Sequence, residues 1–307
     1  MRVLIAGGSG FIGKHLVDYL TMKSIDVDIL TRSTLAQKET VINGKVVKAI
    51  RSNYLTEELV RIFSSYNCII NLAGVRFTKS KESSYKHYEE NFKIAESIFE
   101  AAHLCNIRNV IQFSSISVYS EQDKIPWLES QHAVPKNFYG LSKLNIDNLV
   151  AFYNKNFNMN FKSFRLAQVI GTGERKGFML DVFFQKAFKK MPIEIYGHGI
   201  GRRHYIYIKD ILELVNICIN NSSTMGIFNI GMNRDYSHKE LAIKINHIFD
   251  NHHNIIEDLT KEEDKSVNLM DISKAKKELN WNPIWGIEDA IEDVREEMKW
   301  MYSNNST

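Results

Sequence analysis

The first thirteen residues constrain the fold of this chain more than any other stretch. Residues 3–6, Val-Leu-Ile-Ala, form an apolar run long enough for a buried strand and too short for a helix. Three glycines at spacing three follow at once, Gly7, Gly10 and Gly13. Apolar residues then recur at Phe11, Ile12, Leu16, Val17 and Leu20, which is helical periodicity. Strand, glycine turn and helix N-terminus in that order make a socket for a pyrophosphate. The first glycines allow a tight turn, the next lets backbone N–H groups approach the phosphates, and the last lets helix and strand pack closely. Gly8, Gly10 and Gly13 also satisfy the looser G-x-G-x-x-G pattern. Glycine turns cap ordinary strands too; this one follows an opening strand and begins a helix, which favours the phosphate reading.

Strand-like and helix-like segments alternate after it. A second strand at residues 26–30 ends in Thr31-Arg32-Ser33. A dinucleotide-binding unit that prefers NAD places an acid there, about 20 residues past the glycine turn, on the ribose 2′-hydroxyl. Here no acid stands, and an arginine does. A guanidinium with flanking hydroxyls binds a 2′-phosphate through charge-assisted hydrogen bonds, so the cofactor expected is NADP, with NAD as the alternative. Further strands are expected at 46–50, followed by Ser52-Asn53-Tyr54, at 68–71 running into Leu72-Ala73-Gly74, and at 110–113 ending in Ser114-Ser115. Residues 84–103 have a helical pattern. Such alternation predicts an α/β fold with a parallel, doubly wound sheet, whose ligands gather at the C-terminal strand ends.

Composition excludes several classes. With 39 basic and 36 acidic residues and no basic tract, nucleic acid is not an expected partner. No apolar run reaches the roughly 18 residues that cross a bilayer, and the chain starts on a core strand rather than a cleavable leader. Cys68, Cys105 and Cys218 are scattered in apolar segments, an odd set that suits neither a disulfide framework nor a zinc cluster. The expected compartment is the reducing cytosol. His198, His204, His252 and His253 lack metal-ligand spacing, so no metal is expected.

Ser115 and the segment Tyr139-Gly-Leu-Ser-Lys143 carry the candidate chemistry. Leu141, Leu144, Ile146, Leu149, Val150 and Phe152 give the segment a helical pattern, so residues 139 and 143 share one face. A neighbouring cation favours phenolate and lowers a phenol pKa that is ordinarily about 10. A serine hydroxyl across the site can hold the same substrate oxygen. The set suits proton transfer at a carbinol oxygen while a nicotinamide carries hydride. The spacing alone is weak, because Tyr19/Lys23 and Tyr205/Lys209 match it too. Tyr19/Lys23 lies at the far end of the opening helix and Tyr205/Lys209 in an expected strand; only Tyr139/Lys143 follows a strand that ends in serines.

With these motifs in hand, the chain resembles the extended short-chain dehydrogenase/reductase family, the NAD(P)-dependent epimerase/dehydratase group acting on nucleotide sugars. The resemblance runs nearly end to end, through Gly7-x-x-Gly10-x-x-Gly13, Asn71-Leu-Ala-Gly74, Asn91, Ser114-Ser-Ile-Ser-Val-Tyr119 and Tyr139-x-x-x-Lys143. It continues in Arg165-Leu-Ala-Gln-Val-Ile-Gly171, Arg203-His-Tyr-Ile-Tyr-Ile-Lys-Asp210, Phe228-Asn-Ile-Gly231 and Asp271-Ile-Ser-Lys-Ala-Lys. It implies a Rossmann-type domain at 1–170 and about 203–235, interleaved with a smaller substrate domain at about 171–202 and 236–307. It implies Tyr139 as general acid/base, Lys143 on the nicotinamide ribose, and Ser115 on the reacting oxygen. Gly7, Gly10, Phe11, Ile12, Gly13, Thr31, Arg32, Ser33, Asn53, Leu72, Ala73, Gly74 and Lys143 would line the cofactor. Arg76, Ser117, Gln168 and Arg203 would meet the substrate, Arg203 at its diphosphate. A homodimer through the helices near 84–103 and 139–154 is also implied.

Departures from the family pattern narrow the reaction. Gln168 replaces the usual asparagine, and the arginine often found shortly before the Asp271 segment is absent, with Lys265 nearby. Ile116-Ser117 stands where the 4,6-dehydratases carry Asp-Glu, and eliminating water needs that extra acid and base. The expected enzyme is therefore an NADPH-dependent reductase of a nucleotide-linked 4-keto sugar. The alternatives are a nucleotide-sugar 4-epimerase of the UDP-glucose or UDP-N-acetylglucosamine type, and a non-catalytic NADP-binding sensor. In the later part of the chain, residues 179–189 should be helical and 193–196 a short strand. Residues 205–208 and 227–230 should return to the main sheet, and the last 70 or so residues should be helical, with Trp281 and Trp285 in the core.

Overall fold

In β1 (Arg2–Ala6) successive side chains enter different layers. Val3 and Ile5 belong to one apolar core, Leu4 and Ala6 to another, and all four are fully buried. A strand buried on both faces needs helices on both sides, which is the setting of a parallel sheet. The computed structural model has this arrangement; it describes residues 1–33, 39–75, 84–174, 176–252 and 255–304.

From β1 the chain runs through α1 (Phe11–Met22), β2 (Asp26–Thr31), β3 (Glu39–Ile42), β4 (Lys45–Arg51), α2 (Thr56–Phe63), β5 (Cys68–Asn71), α3 (Tyr85–Leu104) and β6 (Asn109–Ser115). A single 3-10 turn, Ile116–Val118, leads toward α4 (Phe138–Phe157), β7 (Lys162–Leu166), β8 (Gln168–Ile170), α5 (Met179–Phe188) and β9 (Glu194–Tyr196). Then come β10 (Arg202–Tyr207), α6 (Ile208–Asn220), β11 (Gly226–Ile230), β12 (Asp235–Ser237), α7 (His238–Ile248), β13 (Ile256–Asp258), α8 (Ser273–Glu278) and α9 (Ile287–Asn304).

The main sheet has the order β11-β7-β6-β5-β1-β2-β4-β3. Its pairs are parallel except β3–β4, an antiparallel hairpin at one edge. Asn43 and Gly44 join that hairpin with φ of 49° and 74°, the left-handed pair that a tight two-residue turn needs. The chain leaves β1 for β2 on one side and later crosses to β5 on the other. That reversal opens a crevice at the C-terminal ends of β1 and β5. On one face α2, α3 and α4 pack around Leu59, Phe63, Ile98, Phe99, Ile146 and Val150. The other face is covered by α1 and α6 and is continuous with the core under α5, α7 and α9.

Three expectations change. Residues 39–42 form a strand not foreseen. Of the two late strands expected in the main sheet, only β11 joins it, pairing with β7. With that edge taken, β10 pairs instead with β8 in parallel and with β12 antiparallel, a separate three-stranded sheet. The region expected to be helical also holds β13, which pairs with β9, and an extended passage in which Met270 bridges Trp127. Trp281 is buried in the core and Trp285 packs against it, as expected. Cys68, Cys105 and Cys218 are free thiols. Among the described residues no helix is long and apolar enough to cross a membrane.

Candidate functional site

The glycine turn owes its shape to contacts that a side chain would destroy. Gly7 has φ +80°, and a Cβ there would lie 2.9 Å from the Ala73 nitrogen and the Leu72 carbonyl carbon. A Cβ on Gly13 would lie 2.6 Å from the Gly7 carbonyl oxygen. The turn is thus pressed between the loop after β5 and the body of α1. Gly10 begins α1 with no side-chain cap, and the first turn carries no acidic residue. Its N–H groups have no side-chain acceptor, and the helix end presents partial positive charge. This cradle fits a dinucleotide pyrophosphate. Phe11 beside it meets His15 edge-on at 5.6 Å, and Gly171 lies so near that a Cβ would come within 3.1 Å of the Phe11 ring.

At the end of β2, the Thr31 hydroxyl accepts the Ser33 N–H at 3.2 Å and the Thr31 carbonyl accepts the Ser52 N–H at 3.0 Å. Arg32, Ser33 and Asn53 are exposed. Glu58 accepts the Asn53 N–H at 3.0 Å and the Ser52 hydroxyl at 3.1 Å, so this carboxylate props the loop after β4. Burial pushes the Tyr54 phenol up to about 12, against a smaller pull down from Arg32. The one buried acid of β2, Asp28, is committed to Arg2 and Tyr66, each at 2.7 Å.

After β5, Asn71 donates to Gln112 at 2.7 Å and accepts the Ala73 N–H at 3.1 Å. Asn91 from α3 closes the loop, accepting the Val75 N–H at 2.6 Å and donating to the Val75 carbonyl at 2.9 Å. Leu72 and Ala73 therefore face Gly7, and a Cβ on Gly74 would come to 4.0 Å from the Lys143 Nζ. The sheet thus brings the glycine turn, the β5 loop and Lys143 to one place. Arg76 lies outside the described residues.

Ser115 ends β6 and caps the following turn, accepting the Ser117 N–H at 3.1 Å and donating to the Ser117 hydroxyl at 3.1 Å. The neighbouring Ser114 hydroxyl is buried with no hydrogen-bond partner. Asn137 caps α4 by accepting the Gly140 N–H at 2.9 Å. A Cβ on Gly140 would lie 2.0 Å from the Ser117 carbonyl oxygen, so glycine is what lets α4 press on the serine turn. Tyr139 and Lys143 are 7% and 6% exposed, with the Lys143 Nζ 5.8 Å from the Tyr139 ring centroid. The other two Tyr-x-x-x-Lys matches differ. Lys23 also reaches its tyrosine, but the Tyr19 hydroxyl is held by Glu213 far from the glycine turn. Tyr205 belongs to β10 and Lys209 to α6, where the amine donates to Asp293.

Gln168 opens β8 and is half-buried, and its register partner in β10 is Tyr205. Arg203 donates to the Ser266 carbonyl at 2.9 Å and forms an ion pair with Asp264. Asp264 ends the acidic run Glu262-Glu263-Asp264 beside Lys265, and nothing in such a charged run distinguishes one acid from the next. Arg165 and Asp147, to which no local sequence pattern gives a role, form a buried ion pair at 2.8 Å. An arginine set between the apolar Phe164 and Leu166 was the available signal. Among the described residues no group of three or more His, Cys, Asp or Glu side chains could hold a metal ion. His204 is neutral by its contacts: Met270 N–H donates to one ring nitrogen, the Met232 carbonyl accepts from the other, and burial lowers its pKa.

Comparison with known proteins finds relatives along nearly the whole chain. An Escherichia coli dTDP-4-dehydro-6-deoxyglucose reductase is 28% identical over 95% of this chain and 96% of its own. The crystal structure of UDP-N-acetylglucosamine 4-epimerase from Bacillus cereus superposes with a TM-score of 0.85 at 26% identity, covering 97% of this chain and 96% of that one. The UDP-glucose 4-epimerase of Thermotoga maritima, at 21% identity, shares the fold with a TM-score of 0.85 over 98% of this chain and all of its own. A family model spans residues 3–231, from the strand before the glycine turn to the glycine after β11. The glycine turn, the serine turn and the Tyr139/Lys143 helix all fall inside that span, and the chain belongs to the NAD-dependent epimerase/dehydratase family.

Proposed function

We propose that this enzyme is an NADPH-dependent reductase of a nucleotide-linked 4-keto sugar. The observation that carries the reading is the end of β2: residues 31–33 hold no carboxylate, Arg32 is exposed there, and the buried acid of the strand is spent on Arg2 and Tyr66. An arginine in that place attracts a 2′-phosphate, and reductases draw on the NADPH pool. The similarity to the reductase of a dTDP-linked 4-dehydro sugar supports the same substrate class. The absence of carboxylates at Ile116-Ser117 disfavours a dehydratase.

In this reading Gly7, Gly10, Phe11, Ile12 and Gly13 hold the pyrophosphate, Thr31, Arg32, Ser33 and Asn53 the adenosine end, and Leu72, Ala73 and Gly74 the middle. When bound, the dinucleotide supplies hydride to the sugar carbonyl carbon. The Tyr139 phenol gives its proton to the carbonyl oxygen, and the Lys143 amine favours the phenolate left behind. The Ser115 hydroxyl turns its hydrogen from Ser117 to that oxygen while still accepting the Ser117 N–H. Ser117 and Gln168 line the sugar side. Arg203 exchanges Asp264 for the substrate diphosphate, a charge-assisted contact of the kind guanidinium makes well.

The second reading, a 4-epimerase, is favoured by the similarity to the Bacillus cereus enzyme and uses the same Ser115, Tyr139 and Lys143. It differs in retaining NAD and letting the keto sugar turn over in the site. Purification tests the two. Protein that emerges from gel filtration without cofactor and oxidises NADPH with a 4-keto nucleotide sugar supports the reductase. Protein that carries NAD and interconverts gluco and galacto sugars with none added overturns it. A homodimer completes the proposal. The outer face of α3 and α4 exposes Tyr85, Phe138, Leu141 and Phe152 and holds a hollow of about 300 Å³ lined by Tyr88, Phe92, Asn145, Asn148, Leu149 and Phe152. Sedimentation at monomer mass would reject it.

A further inference from the structure

A buried guanidinium ties together the two segments on which the proposed chemistry depends. Arg165 projects from β7 with its side chain 4% exposed. Its Nε donates to Asp147 Oδ2 at 2.8 Å, and its NH1 donates to the Tyr119 hydroxyl at 2.6 Å. Ser163 donates to the other Asp147 oxygen at 2.5 Å, so the carboxylate is fully engaged. The Tyr119 hydroxyl lies 2.9 Å from Asn229 Oδ1, and its ring stacks on Trp127 with centroids 5.1 Å apart. A buried ion pair this well supplied with hydrogen bonds holds its members in one geometry.

The placement of the two partners gives the contact its meaning. Asp147 lies on α4 one turn beyond Lys143 and two turns beyond Tyr139. Tyr119 immediately follows the turn that carries Ser115 and Ser117. Gly140 already presses α4 onto that turn. Arg165 links the same two segments from β7, its Nε and NH1 each addressing one of them. The forked guanidinium can do this; a lysine amine, a single point, cannot reproduce both directions.

We infer that Arg165 is a positioning residue, which through Asp147 and Tyr119 fixes the separation between the Ser115 hydroxyl and the Tyr139 phenol. The inference rests on the reading of those two groups as the pair that meets the reacting oxygen. A displacement of about 1 Å in such a pair can cost a hundredfold in rate.

The test compares Arg165→Lys with Tyr119→Phe, the second of which removes one hydroxyl and leaves the buried ion pair intact. Turnover of a 4-keto nucleotide sugar with NADPH and of UDP-glucose with NAD is measured, together with cofactor affinity and melting temperature. The expected result is a kcat lowered about tenfold in Tyr119→Phe and more in Arg165→Lys, with cofactor affinity within about twofold of wild type. Tyrosinate absorbance lost on Tyr139→Phe isolates the ionisation of that phenol, and its midpoint should rise in Tyr119→Phe. Folded variants with unchanged kcat and an unchanged midpoint overturn the inference. So does a loss of kcat that only follows a loss of melting temperature and cofactor affinity. If wild type turns over neither substrate, the catalytic reading fails by itself, while the Tyr139 midpoint still decides the positioning.

Discussion

The Lys143 Nζ lies 5.8 Å from the centroid of the Tyr139 ring and donates to the Phe113 carbonyl at 2.8 Å. The amine is thereby anchored to the end of β6, two residues before Ser115, and not only to its own helix. Removing the phenol oxygen should then abolish proton transfer without disturbing the anchor. Tyr139→Phe is expected to lower kcat by about 10²–10⁴-fold, the usual worth of a positioned acid or base, with cofactor affinity retained. Steady-state kinetics beside cofactor titration checks this; turnover within a few fold of wild type would remove Tyr139 from the chemistry.

The proposed preference for NADPH rests on Arg32. Replacing its charge by the opposite one puts a carboxylate where a 2′-phosphate would lie and where a free 2′-hydroxyl could donate. Arg32→Asp should weaken NADPH about tenfold or more while NADH loses little, a charge-assisted hydrogen bond being worth about 1.5–3 kcal/mol. Fluorescence titration with both nucleotides reads the ratio. Equal weakening of the two would sink the assignment.

Gly140 has no room for a methyl group. In Gly140→Ala the added carbon would start 2.0 Å from the Ser117 carbonyl oxygen, a backbone atom of a turn held by Ser115. Either α4 or the turn must move, so the variant should lose about 1–3 kcal/mol of stability despite alanine's better helix propensity. Its kcat should fall as well. Chemical denaturation showing a gain in stability would contradict the close approach.

Asp210 should make stability fall with rising pH across a defined window. Its carboxyl is buried, one oxygen accepts the Ile284 N–H at 2.9 Å and the other has no partner. Burial raises its pKa from 3.8 to about 6. The folded state therefore binds the proton more tightly than the unfolded state. That contribution is fully present below pH 4 and is lost as pH rises through about 6. Asp210→Asn cannot ionise, so relative to wild type it should gain about 1–3 kcal/mol between pH 4 and pH 7.5. Denaturation at the two pH values measures the difference, and a constant gap would refute it.

How much of this was legible beforehand depends on the range of the interaction concerned. The parallel sheet and the glycine turn follow from local pattern, since the apolar run at 3–6 and Gly7, Gly10 and Gly13 declare themselves within a few residues. The Tyr139/Lys143 helix was legible for the same reason. The β3–β4 hairpin was missed although Asn43-Gly44 is a strong turn signal, because Glu39–Ile42 carries little apolar alternation. The separate sheet built on β10 was not legible, because Tyr205 pairs with Gln168 across a long sequence gap and only the occupancy of the β7 edge decides it. The same holds for Arg165 with Tyr119 and for Arg203 with Asp264, pairs 46 and 61 residues apart. No periodicity spans such separations.

The Asn229 side chain donates to both the Trp127 carbonyl, at 2.9 Å, and the Asp271 carbonyl, at 3.1 Å. For a chain emerging from the ribosome this sets a schedule. The wall behind Tyr119 cannot close until residue 271 has been synthesised, and until β11 arrives the edge of β7 stays open to other chains. Expression at lower temperature, or with holding chaperones in excess, should therefore raise the yield of folded enzyme.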